Sequence, residues 1–519
     1  MNKKKHVFVL IFSLAIVLTI KFSHLNAMVR ITPETQPAVF ASYVQAINLT
    51  GLLDHTFHGI GYATLNIDRF ADRAHGIAVQ SDGKVVVVGG TNLNIGGGRT
   101  GVFLTARYNT DGSLDPSFGN GLGYVTTSFS GPGTADFATA IAIQSDGKLV
   151  VAGQTNRGLN GFPPVGSFAI VRYNPDGSPD ATFGPAQNGT VTRNLSGNVD
   201  GATSVVIQPD GKILLGGFTN ILAFALVGGQ GKAALLRYNA DGSEDDSFGP
   251  DGNGAFSVSI SGNNKTDIAN SVLLQPDRKI IAIGATNISG AGGTGSFLVM
   301  RLTQEGILDS TFGPDKTGIV QTHISSNTVG YADGAASGVL QPDGKIVAVG
   351  STNTQGTGIP IGDVCLVRYT SNGTLDASFG QGGIVTTNIS GNGYLDYANA
   401  AVLQLDAFIV VAGATNERGT AGAPGSILVL RYTPEGTLDP SFGPQGIGYV
   451  TTQISNPPLY DAGYGVTLAA NGSILVAGQT NVGAGAGGAP AEGDFTTLRY
   501  INPFTPATFT SSYGGVGFL

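Results

Sequence analysis

One sequence unit is repeated seven times along this chain of 519 residues, and this repetition constrains the fold more than any other feature. The clearest copies contain Asp82-Gly83-Lys84 and Asp146-Gly147-Lys148. Counted at this aspartate or its counterpart, the copies lie at positions 82, 146, 210, 277, 343, 406 and 471, which gives steps of 64, 64, 67, 66, 63 and 65 residues. Such a repeat indicates supersecondary units that share a continuous core.

The unit that begins at Asp136 predicts four β-strands separated by turns. We expect strands at 138–144, 148–152, 167–173 and 190–195, because each segment is rich in apolar and β-branched residues. Asp146-Gly147 and Asp176-Gly177 provide tight turns, since glycine readily adopts the positive φ that such turns require. No segment has helical periodicity over two or more turns, so the fold class is predicted to be all-β.

The two ends of the repeat array predict a closed ring. The segment from Leu53 to Phe57 and the strand-like residues 62–67 match the fourth-strand phrase of other units. In the last unit this phrase is eroded, and Ala507 stands where the first unit has Asp115. If the N-terminal strand completes the last blade, closure removes the exposed sheet edges of an open solenoid. We therefore expect a seven-bladed β-propeller of four-stranded antiparallel blades.

The N-terminus has the layout of a secretory signal peptide. Lys3, Lys4 and Lys5 precede an apolar core at 7–20, and Ala27 is a small residue at the expected cleavage site. An uncleaved anchor is the alternative, although the apolar run is short for a spanning helix of ~20 residues. We expect secretion to the periplasm, cell surface or medium. The predicted domains are a signal peptide at 1–27, a leader at 28–50 and the propeller at 51–519. The closing strand is expected within 51–67, and the repeats are expected to start near 72, 136, 200, 267, 333, 396 and 461.

Composition argues against several classes of partner and site. The formal net charge is -8, which disfavours a nucleic-acid partner. Cys365 is the only cysteine, so an intrachain disulfide is excluded, and its apolar neighbours predict a buried thiol. Tryptophan is absent, which weakens a sugar-binding interpretation, although 16 tyrosines are present.

The recurring phrase resembles the bacterial delta-60 repeat family. It is clearest in the segment from Gln341 to Gly350, followed by Arg368-Tyr369 and by the segment from Leu375 to Gly380, and the resemblance covers residues 51 to 511. The resemblance implies a propeller-like fold and export, and it implies no particular chemistry, because that family is mostly of unassigned function. The units here are longer, mainly between the Thr-Asn turn and the Arg-Tyr strand.

Two polar positions recur in every unit and are the candidate ligand-binding residues. The first strand opens at an aspartate, which is Asp72, Asp136, Asp200, Asp267, Asp333, Asp396 or Asp461. The second strand is followed by a threonine and then an asparagine, which is Asn92, Asn156, Asn220, Asn287, Asn353, Asn416 or Asn481. Because antiparallel strands alternate in direction, both positions are expected on one face, around one mouth of the central channel.

These aspartates have two interpretations. They could form a polar ring that binds a cation or a polar ligand, with calcium as the candidate ion, because oxygen ligands suit hard cations. Alternatively, each carboxylate accepts backbone N–H bonds from nearby Thr-Asn turns and stabilises the fold. Occurrence in all seven units favours the second interpretation, so neither a metal site nor a cofactor is predicted.

A second set of recurring residues predicts structural roles. An arginine ends each third strand, and an aspartate follows eight residues later, as in Arg107 and Asp115. We expect an ion pair that locks each outer hairpin, with Asp54 serving the last unit after closure. The phenylalanines that follow, such as Phe118, are expected to be core residues, and the Asn-x-Asp-Gly phrases are interpreted as hairpin turns rather than calcium loops.

No catalytic residue is predicted. The four histidines beyond the signal segment lack metal-ligand spacing, and no nucleophile elbow or phosphate-binding loop is present. The loops after the Thr-Asn pairs vary between units and lie on the same face as the aspartates, at 93–101, 157–166, 221–231, 354–362 and 482–493. Variable loops on a rigid scaffold are typical of binding surfaces.

We therefore expect an exported, non-enzymatic binding scaffold that contacts a protein or cell-envelope component through these loops. We expect a monomer with no membrane span after the signal segment. A hydrolase or lyase that uses the ring aspartates at the channel mouth is one alternative, and a cation-binding surface-structural protein is another. An enzyme should show blade-to-blade asymmetry near the ring. In the sequence, only His75 and Tyr397 provide it.

Overall fold

The computed structural model describes residues 50–67, 71–91, 101–130, 134–158, 165–221, 231–262, 265–287, 295–325, 333–352, 362–391, 395–416, 425–444, 446–455, 460–483 and 492–502. The predicted signal peptide and leader, and most of each variable loop, lie outside these residues. The described residues form 28 β-strands and no helix. Accordingly, no helix among them is long and apolar enough to cross a membrane.

The strands form seven four-stranded sheets, each a blade. The first strands are β2 (Arg73–Val79), β6 (Thr134–Ile143), β10 (Val199–Ile207), β14 (Ile268–Leu274), β18 (Gly334–Leu340), β22 (Asp396–Leu403) and β26 (Tyr460–Leu468). The second strands are β3 (Val85–Thr91), β7 (Leu149–Gly158), β11 (Ile213–Ile221), β15 (Ile280–Thr286), β19 (Ile346–Thr352), β23 (Ile409–Thr415) and β27 (Ile474–Gly483).

The outer half of each blade completes the sheet. The third strands are β4 (Val102–Tyr108), β8 (Ser167–Tyr173), β12 (Lys232–Tyr238), β16 (Ser296–Leu302), β20 (Asp363–Tyr369), β24 (Ser426–Tyr432) and β28 (Glu492–Tyr500). The fourth strands are β5 (Tyr124–Thr127), β9 (Thr190–Arg193), β13 (Ala255–Val258), β17 (Ile319–Thr322), β21 (Ile384–Thr387), β25 (Tyr449–Thr452) and, for the seventh blade, β1 (Tyr62–Leu65).

The predicted seven-bladed propeller and its closure are confirmed. Strand β1 pairs antiparallel with β28, with Tyr62 opposite Leu498 and Leu65 opposite Phe495. The seventh blade therefore takes its outer strand from the beginning of the propeller and its other three strands from the end. This arrangement joins the first and last blades without leaving an unpaired edge at the junction.

The strands predicted within the second repeat agree with those observed, except at some ends. The predicted third strand at 167–173 coincides with β8, whereas β7 continues from Leu149 to Gly158, well past the predicted end. The extension arises because the chain beyond Thr155 keeps its pairing with β6 after a β-bulge, which apolar patterning alone does not reveal.

The hydrophobic core lies between neighbouring blades. One cluster joins Val88 and Phe103 of the first blade to Ala138 and Val151 of the second. The second and third strands are almost wholly buried, which explains their continuous apolar runs. Each recurring phenylalanine is fully buried, as predicted, and so is the Cys365 thiol.

Candidate functional site

The recurring aspartates lie on the loop face, which we define as the face where first strands begin and second strands end. All seven are fully buried. Asp200 illustrates their contacts: its carboxylate accepts hydrogen bonds from the backbone N–H of Leu195 at 2.5 Å and from the hydroxyls of Ser196 at 2.5 Å and Thr219 at 2.6 Å. The backbone N–H of Asn220 donates a further bond at 2.9 Å. The carboxylate is therefore surrounded by protein donors.

The same contacts recur around the ring. Each carboxylate accepts a hydrogen bond of 2.5 to 2.8 Å from a backbone N–H in the segment that leads in from the preceding outer strand, at Ile67, Phe129, Leu195, Ile260, Ile324, Ile389 and Ile454. Five also accept a hydrogen bond from the hydroxyl of a threonine at or near the end of their own second strand, at Thr155, Thr219, Thr352, Thr415 and Thr480. Within the described residues, the hydroxyls of Thr91 and Thr286 make no such bond.

The backbone of each aspartate binds the preceding blade. The N–H of Asp200 donates to the carbonyl of Gly166, which directly precedes β8, at 3.1 Å. Equivalent bonds of 2.7 to 3.1 Å join the pairs Asp72–Gly493, Asp136–Gly101, Asp267–Gly231, Asp396–Gly362 and Asp461–Gly425. Asp333 forms a parallel bridge with Gly295 at the same position. Each aspartate thus connects two blades, and we call this arrangement the aspartate staple.

The staples hold both ends of the variable loops. Before the loop between β7 and β8, Thr155 of β7 binds Asp136, and after the loop Gly166, just before β8, binds Asp200. Consecutive aspartates therefore clamp the start and the end of one loop. The carboxylates are buried and accept hydrogen bonds from the protein itself. Among the described residues, no group of three His, Cys, Asp or Glu side chains is placed to hold a metal ion.

Three of the paired asparagines make backbone contacts on the loop face. Asn220 and Asn287 adopt positive φ angles of 63° and 60°, a conformation that asparagine tolerates better than most residues. Each then donates its backbone N–H to the staple carboxylate. The backbone N–H of Asn416 instead donates to Leu395 at 3.2 Å. Asn92 and Asn353 lie outside the described residues, as do the side chains of Asn156 and Asn481.

The opposite face carries a second set of links between blades. In the fourth blade, Arg301 contacts Asp309 at 2.8 Å, and Lys279 contacts the same carboxylate at 3.0 Å. Arg301 also donates to the carbonyl of Ser371 in the next blade at 2.7 Å, and its guanidinium lies 4.6 Å from the ring centre of Phe312. The predicted ion pairs are confirmed in all seven blades, with Asp54 serving Arg499.

These contacts alter the acidity of the paired carboxylates. Burial alone would raise the pKa of Asp376, but hydrogen bonds from Ser378 and Lys345 and the charge of Arg368 outweigh burial and lower the pKa to about 2. The pKa values of Asp115, Asp180, Asp245 and Asp309 are lowered for the same reasons. The carboxylates therefore stay ionised and paired near neutral pH.

A central cavity of about 310 Å³ lies on the propeller axis, lined by the first strands of all seven blades. Its lining includes the third residue after each staple aspartate, which is His75, Thr139, Thr203, Asn270, Ala336, Asn399 or Tyr464. Each of these sits at a register shift between the first and second strands. Sequence reasoning missed this set because its members differ from blade to blade.

Two aromatic rings meet on one side of the cavity. His75 stacks on Tyr464 of the preceding blade, with ring centres 4.5 Å apart and planes inclined by 13°. The edge of Phe137 contacts His75, also at 4.5 Å. Burial, reinforced by the charge of Arg73, lowers the pKa of His75 to about 3, so the imidazole is neutral at physiological pH. Tyr397, the other asymmetric residue named from the sequence, does not line the cavity.

No curated protein matches the sequence. The chain is similar in structure to virginiamycin B lyase from Staphylococcus aureus, at 13% identity, with a TM-score of 0.41, 84% of this chain and 98% of that chain covered. It is also similar to the polysaccharide lyase Uly1, at 11% identity and a TM-score of 0.44, and the match covers 88% of this chain and 98% of that chain. Likenesses at this level carry no inference about activity.

A family model matches the repeats themselves. Its description is "Domain of unknown function (DUF5122) beta-propeller", and it matches residues 80–118, 144–183, 208–248, 275–312, 341–379 and 409–442. Five matches begin directly after a first strand and the sixth begins with the second strand β23, and each ends at the recurring phenylalanine of its blade. The family model therefore matches segments of six of the seven blades.

Proposed function

We propose that this protein is an exported, non-enzymatic binding scaffold that engages a protein or a cell-envelope component through its loop face. The observation that supports the proposal is the clamping of the variable loops of blades two to seven at both ends by aspartates of consecutive blades. Around the loop between β11 and β12, Thr219 near the end of β11 is bound to Asp200, and Gly231 just before β12 is bound to Asp267.

This clamping separates the fold from the loops. The staples and the apolar interfaces between blades hold the ring through residues of the strands and of the described loop ends. Loop length and sequence can therefore change with little effect on stability, because the entropic cost of closing a loop grows only slowly with loop length. Loops that vary on a fixed frame are the usual place for binding specificity.

The buried aspartates favour this role over a ring-aspartate hydrolase or lyase. A general acid or base must come within hydrogen-bonding distance of its substrate. The Asp200 carboxylate already accepts bonds from two backbone N–H groups and two hydroxyls of the protein itself.

We also propose that the repeats are of the delta-60 type, because the phrase from Gln341 to Gly350 and its copies resemble that family.

Export can be tested by N-terminal sequencing of the protein recovered from the periplasm, cell surface or medium. A mature chain that begins at Met28 supports the proposed signal peptide. A chain found only inside the cell, or one that retains residues 1–27, contradicts it.

The loop-face proposal can be tested by replacing residues 222–230 with a Gly-Ser linker of equal length. Binding of the purified protein to the envelope fraction of the producing organism would be measured by co-sedimentation. The matched control is Leu122→Ser, because Leu122 is exposed on the opposite face. We expect the linker variant to lose binding while it keeps the wild-type melting temperature, and the control to bind normally. Equal binding by both variants would contradict the proposal.

A further inference from the structure

We propose that the central cavity is a second binding site, separate from the loop face, for a small uncharged molecule that carries hydroxyl groups and one apolar face, of the size of a monosaccharide. The cavity is bounded by side chains of all seven blades. Its wall is uneven, because the third position after the staple aspartate holds a different side chain in most blades.

The β-bulges direct these side chains towards the axis. In the third blade the register between β10 and β11 shifts between Ala202 and Ser204, which leaves Thr203 as the extra residue. The same shift recurs at the equivalent place in every blade. A β-bulge re-aims a side chain, and bulges are frequent beside functional sites. The seven bulge residues therefore form one ring that faces the cavity.

The cavity lining indicates an uncharged ligand. None of the residues that line it is an aspartate, glutamate, lysine or arginine. The staple aspartates lie three residues earlier and are occupied by their own blades, as Asp200 shows. The guanidinium of Arg73 lies 5.6 Å from the centre of the Tyr464 ring but does not line the cavity. A charged ligand would therefore lose its hydration in the cavity without direct contact with an opposite charge, which costs much free energy.

Four bulge residues are held in fixed orientations by the next blade. The hydroxyls of Thr139 and Thr203 donate to the carbonyls of Ala202 at 2.8 Å and Ala269 at 2.7 Å. The side-chain amides of Asn270 and Asn399 donate in the same way, each at 2.8 Å. The single donor of each hydroxyl and one N–H of each amide are thus used, whereas the hydroxyl lone pairs and the amide oxygens can still accept hydrogen bonds. The complementary ligand supplies O–H donors, and the fixed side chains reduce the entropy lost on binding.

The aromatic side of the cavity complements an apolar ligand face. His75 and Tyr464 stack there, and neither side chain is charged at neutral pH. The Tyr464 hydroxyl has no hydrogen-bond partner among the described residues, so it is available to a ligand. Aromatic rings with a polar tip combine apolar contact with hydrogen bonding. Tyr464, one of the 16 tyrosines, therefore supplies an aromatic surface in a chain that lacks tryptophan.

The volume sets the size of the ligand. A cavity of about 310 Å³ lies at the low end of the range for small-molecule pockets, about 300–1,000 Å³. A single sugar ring with its hydroxyl groups matches this space.

The test is saturation-transfer NMR on the full chain with neutral probes, namely D-glucose, D-galactose, L-arabinose and myo-inositol. D-glucuronate and D-glucosamine are the charged comparisons. Ligand-detected transfer reports contact, so the general stabilisation of proteins by excluded sugars does not imitate it. We expect transfer to at least one neutral probe and none to the charged pair.

Two cavity variants localise the signal. Ala336→Leu fills part of the cavity, and Asn270→Leu replaces an acceptor by an apolar group of similar size; both should abolish transfer. Ala336→Ser is the matched control and should retain it, as should the loop-replaced protein, because the cavity does not depend on the loop face. Transfer to no neutral probe, transfer to a charged probe, or undiminished transfer to both leucine variants would overturn the proposal.

Discussion

The carboxylate of Asp54 accepts a hydrogen bond of 2.8 Å from Arg499, a residue 445 positions away in the sequence. In the first blade, Arg107 makes the same bond at 2.7 Å to Asp115, only eight positions away. The N-terminal strand therefore brings to the seventh blade the ion pair that other blades supply from their own repeat. Ring closure rests on this side-chain contact as well as on strand pairing.

Replacing Asp54 should weaken ring closure. We expect Asp54→Asn to lower the free energy of unfolding by about 1.5–3 kcal/mol, the range for hydrogen bonds to charged groups. Asp115→Asn should lower the free energy of unfolding by a similar amount. Asp82→Asn, at an exposed turn, should change the free energy of unfolding by at most about 0.5 kcal/mol. Denaturant unfolding measures all three. An Asp54→Asn protein as stable as the Asp82→Asn control would mean that the closing pair contributes nothing.

A pair of glycine variants measures the packing between blades. A Cβ on Gly177 would lie 2.8 Å from the ring of Phe118 in the preceding blade, whereas a Cβ on Gly197 would meet no atom within 4 Å. Both glycines have positive φ angles, 87° and 77°, so the conformational cost of alanine is similar. We expect Gly177→Ala to be less stable than Gly197→Ala by about 1–3 kcal/mol, the usual cost of overpacking. Equal thermal stability of the two variants would show that this interface can relax.

The cavity histidine should make the protein sensitive to mild acid. The pKa of His75 is about 3 in the folded protein against 6.5 for the ordinary side chain. The unfolded state therefore binds the proton more tightly, and stability present above pH 6.5 is lost as the pH falls towards 3. As the pH falls, the free energy of unfolding of the wild type should decrease relative to that of His75→Phe by at most about 1.4 kcal/mol per pH unit. Parallel stability–pH curves for the two proteins would contradict a neutral, buried imidazole; His55→Gln, at an exposed position, is the control.

Buried tyrosines should titrate only when the propeller unfolds. Burial raises the pKa of Tyr173 to about 12, against 10.0 for the ordinary side chain, despite its 2.6 Å hydrogen bond with Thr127. The tyrosines Tyr108, Tyr238, Tyr369, Tyr432 and Tyr500 are equally buried and also have raised pKa values. Because these folded-state pKa values exceed the unfolded value, their contribution to stability is complete below pH 10 and is lost above it.

Absorbance of tyrosinate during an alkaline titration, followed together with circular dichroism, checks this prediction. The exposed tyrosines should ionise first, and the buried set should ionise in the same step that abolishes the β-sheet signal. Tyr173→Phe should reduce the amplitude of the second step. Ionisation of all 16 tyrosines while the sheet signal persists would contradict the described burial.

Much of the architecture could be predicted because it repeats. The Asp-Gly turns, the eight-residue spacing of Arg107 and Asp115, and the fourth-strand phrase at Asp54 recur with local signatures, so the strands, ion pairs and ring closure followed from the sequence. Contacts that involve only backbone atoms could not be predicted in this way. The carbonyl of Gly166 accepts its bond from Asp200, and no side-chain pattern marks such an acceptor.

The cavity site was inaccessible to the same reasoning because it depends on differences between blades. A bulge at Thr139 or Asn270 adds one residue to a strand that otherwise reads as continuous. His75 and Tyr464 belong to the first and last blades, and only ring closure brings them into contact. Repeat analysis compares equivalent positions and therefore discounts those at which the copies disagree.

The central claim is that the staple aspartates serve the fold and leave binding to the loops and the cavity. The most direct test is the thermal unfolding of the wild type and Asp200→Asn in calcium, magnesium or manganese and in a chelator. We predict the same wild-type midpoint in every condition and a lower midpoint for Asp200→Asn throughout, because a ligand of the folded state would raise the midpoint by mass action. A rise with calcium that Asp200→Asn abolishes would show instead that the aspartates hold a metal ion.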